Sequence, residues 1–150
     1  MDTGLLEAER PVSREICTAE KDPVAAQVRC LLASTNPTAQ VVERRRDQRY
    51  AYSQLVVLTA VSDDGVTPLE EKSCVVVGKQ ISERGLGFFH PEPLPYRRVI
   101  ASMELEAGRW ISFLLDVSWC RFTRYGWYES GGRFLHVAEL PPGVEKTVAS

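Results

Sequence analysis

Val99-Ile100-Ala101-Ser102-Met103-Glu104-Leu105-Glu106-Ala107-Gly108-Arg109-Trp110-Ile111-Ser112-Phe113-Leu114-Leu115-Asp116-Val117-Ser118-Trp119 carries two apolar alternations back to back around a tight turn. In the first, Val99, Ala101, Met103 and Leu105 alternate with Ile100, Ser102, Glu104 and Glu106. In the second, Ile111, Phe113, Leu115, Val117 and Trp119 share one face, opposite Ser112, Asp116 and Ser118. Successive side chains of a strand point to opposite faces, so a two-residue period means a strand buried on one side. Glu106-Ala107-Gly108-Arg109 is then the hairpin turn that joins two antiparallel neighbours.

The same grammar extends in both directions. Leu55-Val56-Val57-Leu58-Thr59-Ala60-Val61 is rich in β-branched residues and is closed by the turn Asp63-Asp64-Gly65. Cys74-Val75-Val76-Val77 begins a strand that runs to Gln80, Ile81 and Ser82. Leu86-Gly87-Phe88-Phe89 is a short one, stopped by Pro91, Pro93 and Pro95. After Trp119 the chain turns at Arg124-Tyr125-Gly126 into a last strand between Trp127 and Val137. Six short strands with short turns and no helices between them predict an all-β, six-stranded antiparallel barrel, because closure removes the exposed edges that flat apolar strands create.

Residues 1–43 lack aromatics and form an N-terminal extension. One helix is expected there, over about 23–33. Asp22 is its cap, Pro23 suits its first turn, and Val24, Val28, Leu31 and Leu32 follow a helical stripe. Ser34-Thr35-Asn36-Pro37 ends it. So short a helix needs to dock on the barrel or await a partner. The barrel domain is expected over 44–140, with 141–150 a tail and both termini flexible.

The 150 residues amount to one domain, 44% hydrophobic and 25% charged, as in an ordinary globular protein. A formal charge of −2 argues against a general polyanion binder, so neither DNA nor RNA is expected as a partner. No run reaches the ~18 apolar residues of a membrane span, and Met1-Asp2-Thr3-Gly4 has neither a basic signal region nor an acylation site. A cytoplasmic protein without membrane partners is therefore expected. Cys17, Cys30, Cys74 and Cys120 are scattered and read as reduced thiols. His90 and His136 have no ligand-spaced cysteines, so no metal is expected.

Two polar stretches stand out against this frame. Arg44-Arg45-Arg46-Asp47-Gln48-Arg49-Tyr50 clusters arginines at the entrance to the first strand. Gln80-Ile81-Ser82-Glu83-Arg84-Gly85 is the turn that leaves the second. Each alone reads as something ordinary, a solvated charged linker and a capped β-turn. Together they suggest a site for a small anionic nucleotide. Guanidinium forks match phosphate oxygens and guanine edges, and Arg45 and Arg49 are spaced to reach one object. Gln80 and Ser82 share a strand face, while Gly85 and Gly87 allow positive φ and close backbone approach.

The pair of motifs resembles the PilZ domain family over roughly 44–137. Arg45 and Arg49 fall on the family's Arg-x-x-x-Arg, with Arg44 ahead. Ser82 and Gly85 fall on its [Asp/Asn]-x-Ser-x-x-Gly, followed by Leu86-Gly87-Phe88. The resemblance implies a six-stranded barrel and a bacterial receptor for cyclic di-GMP, with Arg44, Arg45, Arg49, Gln80, Ser82 and Gly85 as ligand contacts and no other cofactor. It implies further that ligand binding changes a surface read by a downstream protein partner. Gln80 departs from the pattern. It keeps an amide but adds a methylene and lacks the Asp charge, which weakens binding if the position is limiting. The alternative is a PilZ-like adaptor that binds no cyclic di-GMP and acts through protein contacts.

Catalysis is not expected. Ser82, His136 and Asp116 could be drawn as a triad, but no nucleophile elbow or metal motif accompanies them. Trp110, Trp119 and Trp127 with Tyr125 and Tyr128 read as barrel core and rim rather than as a nucleic-acid stacking platform.

Overall fold

A computed structural model describes residues 22–35, 41–43, 48–65, 67–106 and 108–149. The elements run α1 (Pro23–Thr35), β1 (Val41–Glu43), β2 (Arg49–Ala51), β3 (Leu55–Val61), β4 (Pro68–Ile81), β5 (Gly85–His90), β6 (Arg98–Glu104), β7 (Trp110–Phe122), β8 (Tyr128–Ala138) and α2 (Val144–Ala149). All strand pairings among the described residues are antiparallel. Strand order is β1-β2-β4-β3-β6-β7-β8-β5, and β5 pairs back onto β4. The circuit β4-β3-β6-β7-β8-β5 is thus a closed six-stranded barrel, to which β1 and β2 add a short flap beside β4.

One row of the alternation is the barrel core; the other, expected to face solvent, is buried too, with Ile100, Ser102, Ser112 and Leu114 each under a tenth exposed, so β6 and the first half of β7 are covered on both faces. Val99, Ala101, Met103, Phe113 and Leu115 are essentially inaccessible, joined by Val56, Leu58, Ile81, Phe88 and Phe134. The β6–β7 register places Ala101 opposite Phe113 and Val99 opposite Leu115, so both apolar rows line the same interior. Three expected turns appear with glycines at positive φ, Gly65, Gly108 and Gly126. The helix docks. Asp22 Oδ1 accepts the Ala25 amide at 3.1 Å, the expected N-cap, and α1 lies against β7 and β8. Val28 and Leu31 are fully buried in the barrel core.

Two features add to the sequence reading. The chain continues past Leu140 into a helix, α2, whose Val144 is buried as it packs on β3 and β4. Its six residues are too few for a periodic signal. The second concerns Trp119, expected on the buried face with Val117. A bulge between Val117 and Trp119 sets two β7 residues against one on β8, and the parity of the strand flips. Trp119 consequently points outward and is 43% exposed.

Candidate functional site

The two polar stretches meet because of one pairing. β2 lies antiparallel to the end of β4, with Ala51 opposite Gln80 and Tyr50 opposite Ile81. This brings Arg49, at the start of β2, beside the turn that leaves β4. Ile81 faces the core, so Gln80 faces outward, while Ser82, itself buried, lines the groove from the turn. A groove of about 210 Å³ results, lined by Arg49, Gln80, Ser82 and Gly85 together with Arg84, Gly87, Ser118, Trp119, Gly132 and Arg133. Arg44 and Arg45 lie outside the described residues.

The turn itself is tightly specified. The Ser82 amide donates to the Gly85 carbonyl at 2.9 Å, and Ser82 Oγ accepts the Arg84 and Gly85 amides, each at 3.1 Å. The hydroxyl thereby caps the turn, and its own proton remains available to donate into the groove. Gly85 and Gly87 do not use positive φ, contrary to expectation; their role is space. A Cβ on Gly85 would sit 2.2 Å from the Gly132 carbonyl oxygen. The Gln80 side chain lies across Gly87, its Cγ 3.5 Å from where a Cβ there would stand. Gln80 and Gly87 are also direct partners in the β4–β5 ladder.

Sequence reasoning missed the far wall, which β7 and β8 supply. Gly131 is opposite Trp119, and a Cβ there would lie 2.5 Å from the indole. The ring therefore rests on bare backbone. A Gly131-Gly132 pair inside a strand is the sequence signal for such a close approach. Arg133 and Arg84 are exposed and bring two more guanidiniums to the rim. Asp116, opposite Arg133, accepts from Arg97 Nε at 2.9 Å, with Arg98 Nε at 3.8 Å. The Arg97 hydrogen bond and the surrounding guanidiniums hold its carboxyl below the usual range despite burial.

One row beyond the groove, Glu129 is buried between Lys79 and Arg121. Lys79 Nζ donates at 2.6 Å, and Arg121 donates through Nε at 3.1 Å and Nη2 at 2.8 Å. Burial raises this carboxyl, but the two cations together bring it below its ordinary value. These cations are neutralised, whereas Arg84 and Arg133 face the groove beside an open floor of glycines. Such an arrangement can hold a dianion and stack a flat ring on Trp119. Among the described residues no group of three His, Cys, Asp or Glu side chains could hold a metal, and no helix is long and apolar enough to cross a membrane.

No family model matches the chain, and no curated protein matches it. Three solved structures are similar to it. The inhibitor of motility MotI/DgrA of Bacillus subtilis is 16% identical with a TM-score of 0.47, over 72% of this chain and 48% of that one. The MrkH–c-di-GMP complex of K. pneumonia is 19% identical with a TM-score of 0.44, over 62% of this chain and 45% of that one. The PilZ domain of YcgR from Escherichia coli, with c-di-GMP, is 15% identical with a TM-score of 0.42, over 71% of this chain and 87% of that one. The matched region thus spans about half the length of the first two. The closed barrel itself stands on this chain's own strand pairing.

Proposed function

We propose that this chain is a receptor domain for cyclic di-GMP, without catalytic activity, working in the cytoplasm. The observation that supports it is the convergence of Arg49, Gln80, Ser82 and Gly85, from two stretches thirty residues apart in sequence, on one outward groove. Arg49 and, from the sequence, Arg44 and Arg45 would hold phosphates and guanine edges. Ser82 would donate its hydroxyl proton, and the Gln80 amide would meet a base edge. Arg84 and Arg133 add charge on the opposite rim, and Trp119 offers a ring face of the size of a purine. Ligand held against this wall would alter the surface offered to a downstream protein.

Calorimetric titration of the full chain with cyclic di-GMP tests the reading. Micromolar or tighter binding is expected, and Arg49→Ala or Arg45→Ala should weaken it about tenfold or more, since a charge-assisted contact contributes roughly 1–3 kcal/mol. Gln80→Asn should bind more tightly if the extra methylene limits affinity. Silence from a well-folded wild type would transfer the assignment to a ligand-independent adaptor, a reading favoured by the exposed aromatics Phe122, Tyr125 and Trp127.

A further inference from the structure

β6 leaves β7 at the Arg98–Asp116 pair, and among the described residues no strand pairs with Ser118–Phe122 of β7 on that side. The last bond there is the Val117 amide donating to the Arg97 carbonyl at 2.7 Å. Ser118, Trp119, Cys120, Arg121 and Phe122 are all exposed. At the far end the Thr123 amide donates to the Trp127 carbonyl, hence toward β8. Amide directions alternate along a regular strand, so the main-chain groups of Phe122 and Cys120 point away from β8, into solvent, while the bulge between Val117 and Trp119 interrupts the alternation at Ser118. Open edges are usually blunted by Lys, Pro or a covering loop. Ser118–Phe122 contains no Lys or Pro, and its one charge, Arg121, is engaged by Glu129.

We propose that this edge pairs antiparallel with the same edge of a second copy, about a two-fold axis through Cys120. Its sequence is complementary to itself in that register. Cys120 exchanges both main-chain bonds with the partner's Cys120, and Phe122 stands opposite the partner's Ser118. Trp119 then lies directly across from the partner's Arg121, on the groove face, where side chains of a non-hydrogen-bonded pair stand closest. A guanidinium plane over an indole is the favoured cation–aromatic pair. The aromatics at the hairpin tip, Phe122, Tyr125 and Trp127, continue the apolar surface beyond the paired edge. The other face of the Trp119 ring rests on Gly131, so the partner's Arg121 takes the face that the groove would offer to a ligand base, and pairing and ligand stacking compete.

Sedimentation of the full chain and cross-linking with a short thiol-to-thiol reagent test it. The expected result is a concentration-dependent dimer whose cross-link maps to Cys120–Cys120 by mass spectrometry, because the two Cα atoms of such a pair lie about 5.5 Å apart. Cys120→Pro removes the outward amide without taking a bond from β8, and Cys120→Lys places a charge on the axis. Both should be monomeric with unchanged circular dichroism, while Cys120→Ser stays dimeric. A wild type that is monomeric at every soluble concentration, as expected if the edge serves another protein's strand, would overturn the proposal. So would a dimer that survives both blocking variants, or one whose cross-link maps to Cys74.

Discussion

Truncating the docked face of α1 distinguishes a helix that belongs to the barrel from one that merely rests on it. Leu31 and Val28 are both fully buried in the core cluster. Leu31→Ala removes three carbons, roughly 2.4 kcal/mol at about 0.8 kcal/mol per buried carbon, and the cavity left behind brings the total to about 3 kcal/mol. Val28→Ala removes two carbons, roughly 1.6 kcal/mol on the same scale. In a domain of this size 1 kcal/mol shifts the midpoint by about 2–4 °C, so Leu31→Ala alone should lower Tm by roughly 6–12 °C. The double variant is the discriminating one. If α1 unfolds only with the barrel, the double variant loses clearly more than Leu31→Ala alone, approaching about 4–5 kcal/mol less the coupling expected of neighbours on one helix face. If α1 can lift off alone, the second substitution costs almost nothing, because destabilisation saturates at the docking energy. Thermal unfolding followed by far-ultraviolet circular dichroism and tryptophan emission separates the cases. A Leu31→Ala midpoint within 2 °C of wild type, on the order of the effect of a surface change, would refute the reasoning that α1 completes the core.

Glu129→Gln leaves Lys79 and Arg121 facing a neutral amide. Both cations are partly solvated, so the loss should be about 1–2 kcal/mol in a urea titration at neutral pH. The carboxyl is held below its ordinary value, so its contribution is present above about pH 4.3 and lost as pH falls through the folded value. The gap between variant and wild type should therefore close in acid, and a gap independent of pH would contradict the ion network. Gly132→Ala would place a Cβ 2.2 Å from the Asp116 carbonyl oxygen, a backbone atom that cannot swing aside. A loss near 3 kcal/mol in the urea midpoint is expected, with an unchanged midpoint as the refuting result. Adding cyclic di-GMP should shift Trp119 emission, and Trp119→Leu should both abolish the shift and weaken binding by roughly tenfold or more.

The barrel was legible because β6 and β7 carry a clean two-residue period, and the glycine turns between strands needed no tertiary information. What the sequence hid depends on single events along the chain. A one-residue bulge after Val117 turned Trp119 from the core to the groove, and nothing in the local apolar pattern records such an insertion. β1 and β2, three residues each, are too short to show alternation. The near wall of the groove was legible as Arg49, Gln80, Ser82 and Gly85. The far wall was not, since Arg133 and Trp119 come from strands far downstream whose register decides who faces whom. Even Ser82 reads differently in three dimensions, because its oxygen is committed to the turn and only its proton is left for chemistry.

Gly85 and Gly132 meet backbone to backbone, with no room for even a methyl group between them. Most contacts between a loop and a sheet pass through side chains, which bend and so absorb small displacements. Here nothing cushions the joint. The Ser82–Gly85 turn abuts β8, which carries Arg133 on one side and leads back through Tyr128 to the aromatic hairpin on the other. The turn and the aromatic hairpin are therefore joined through β8 with no side chain intervening at the Gly85–Gly132 contact.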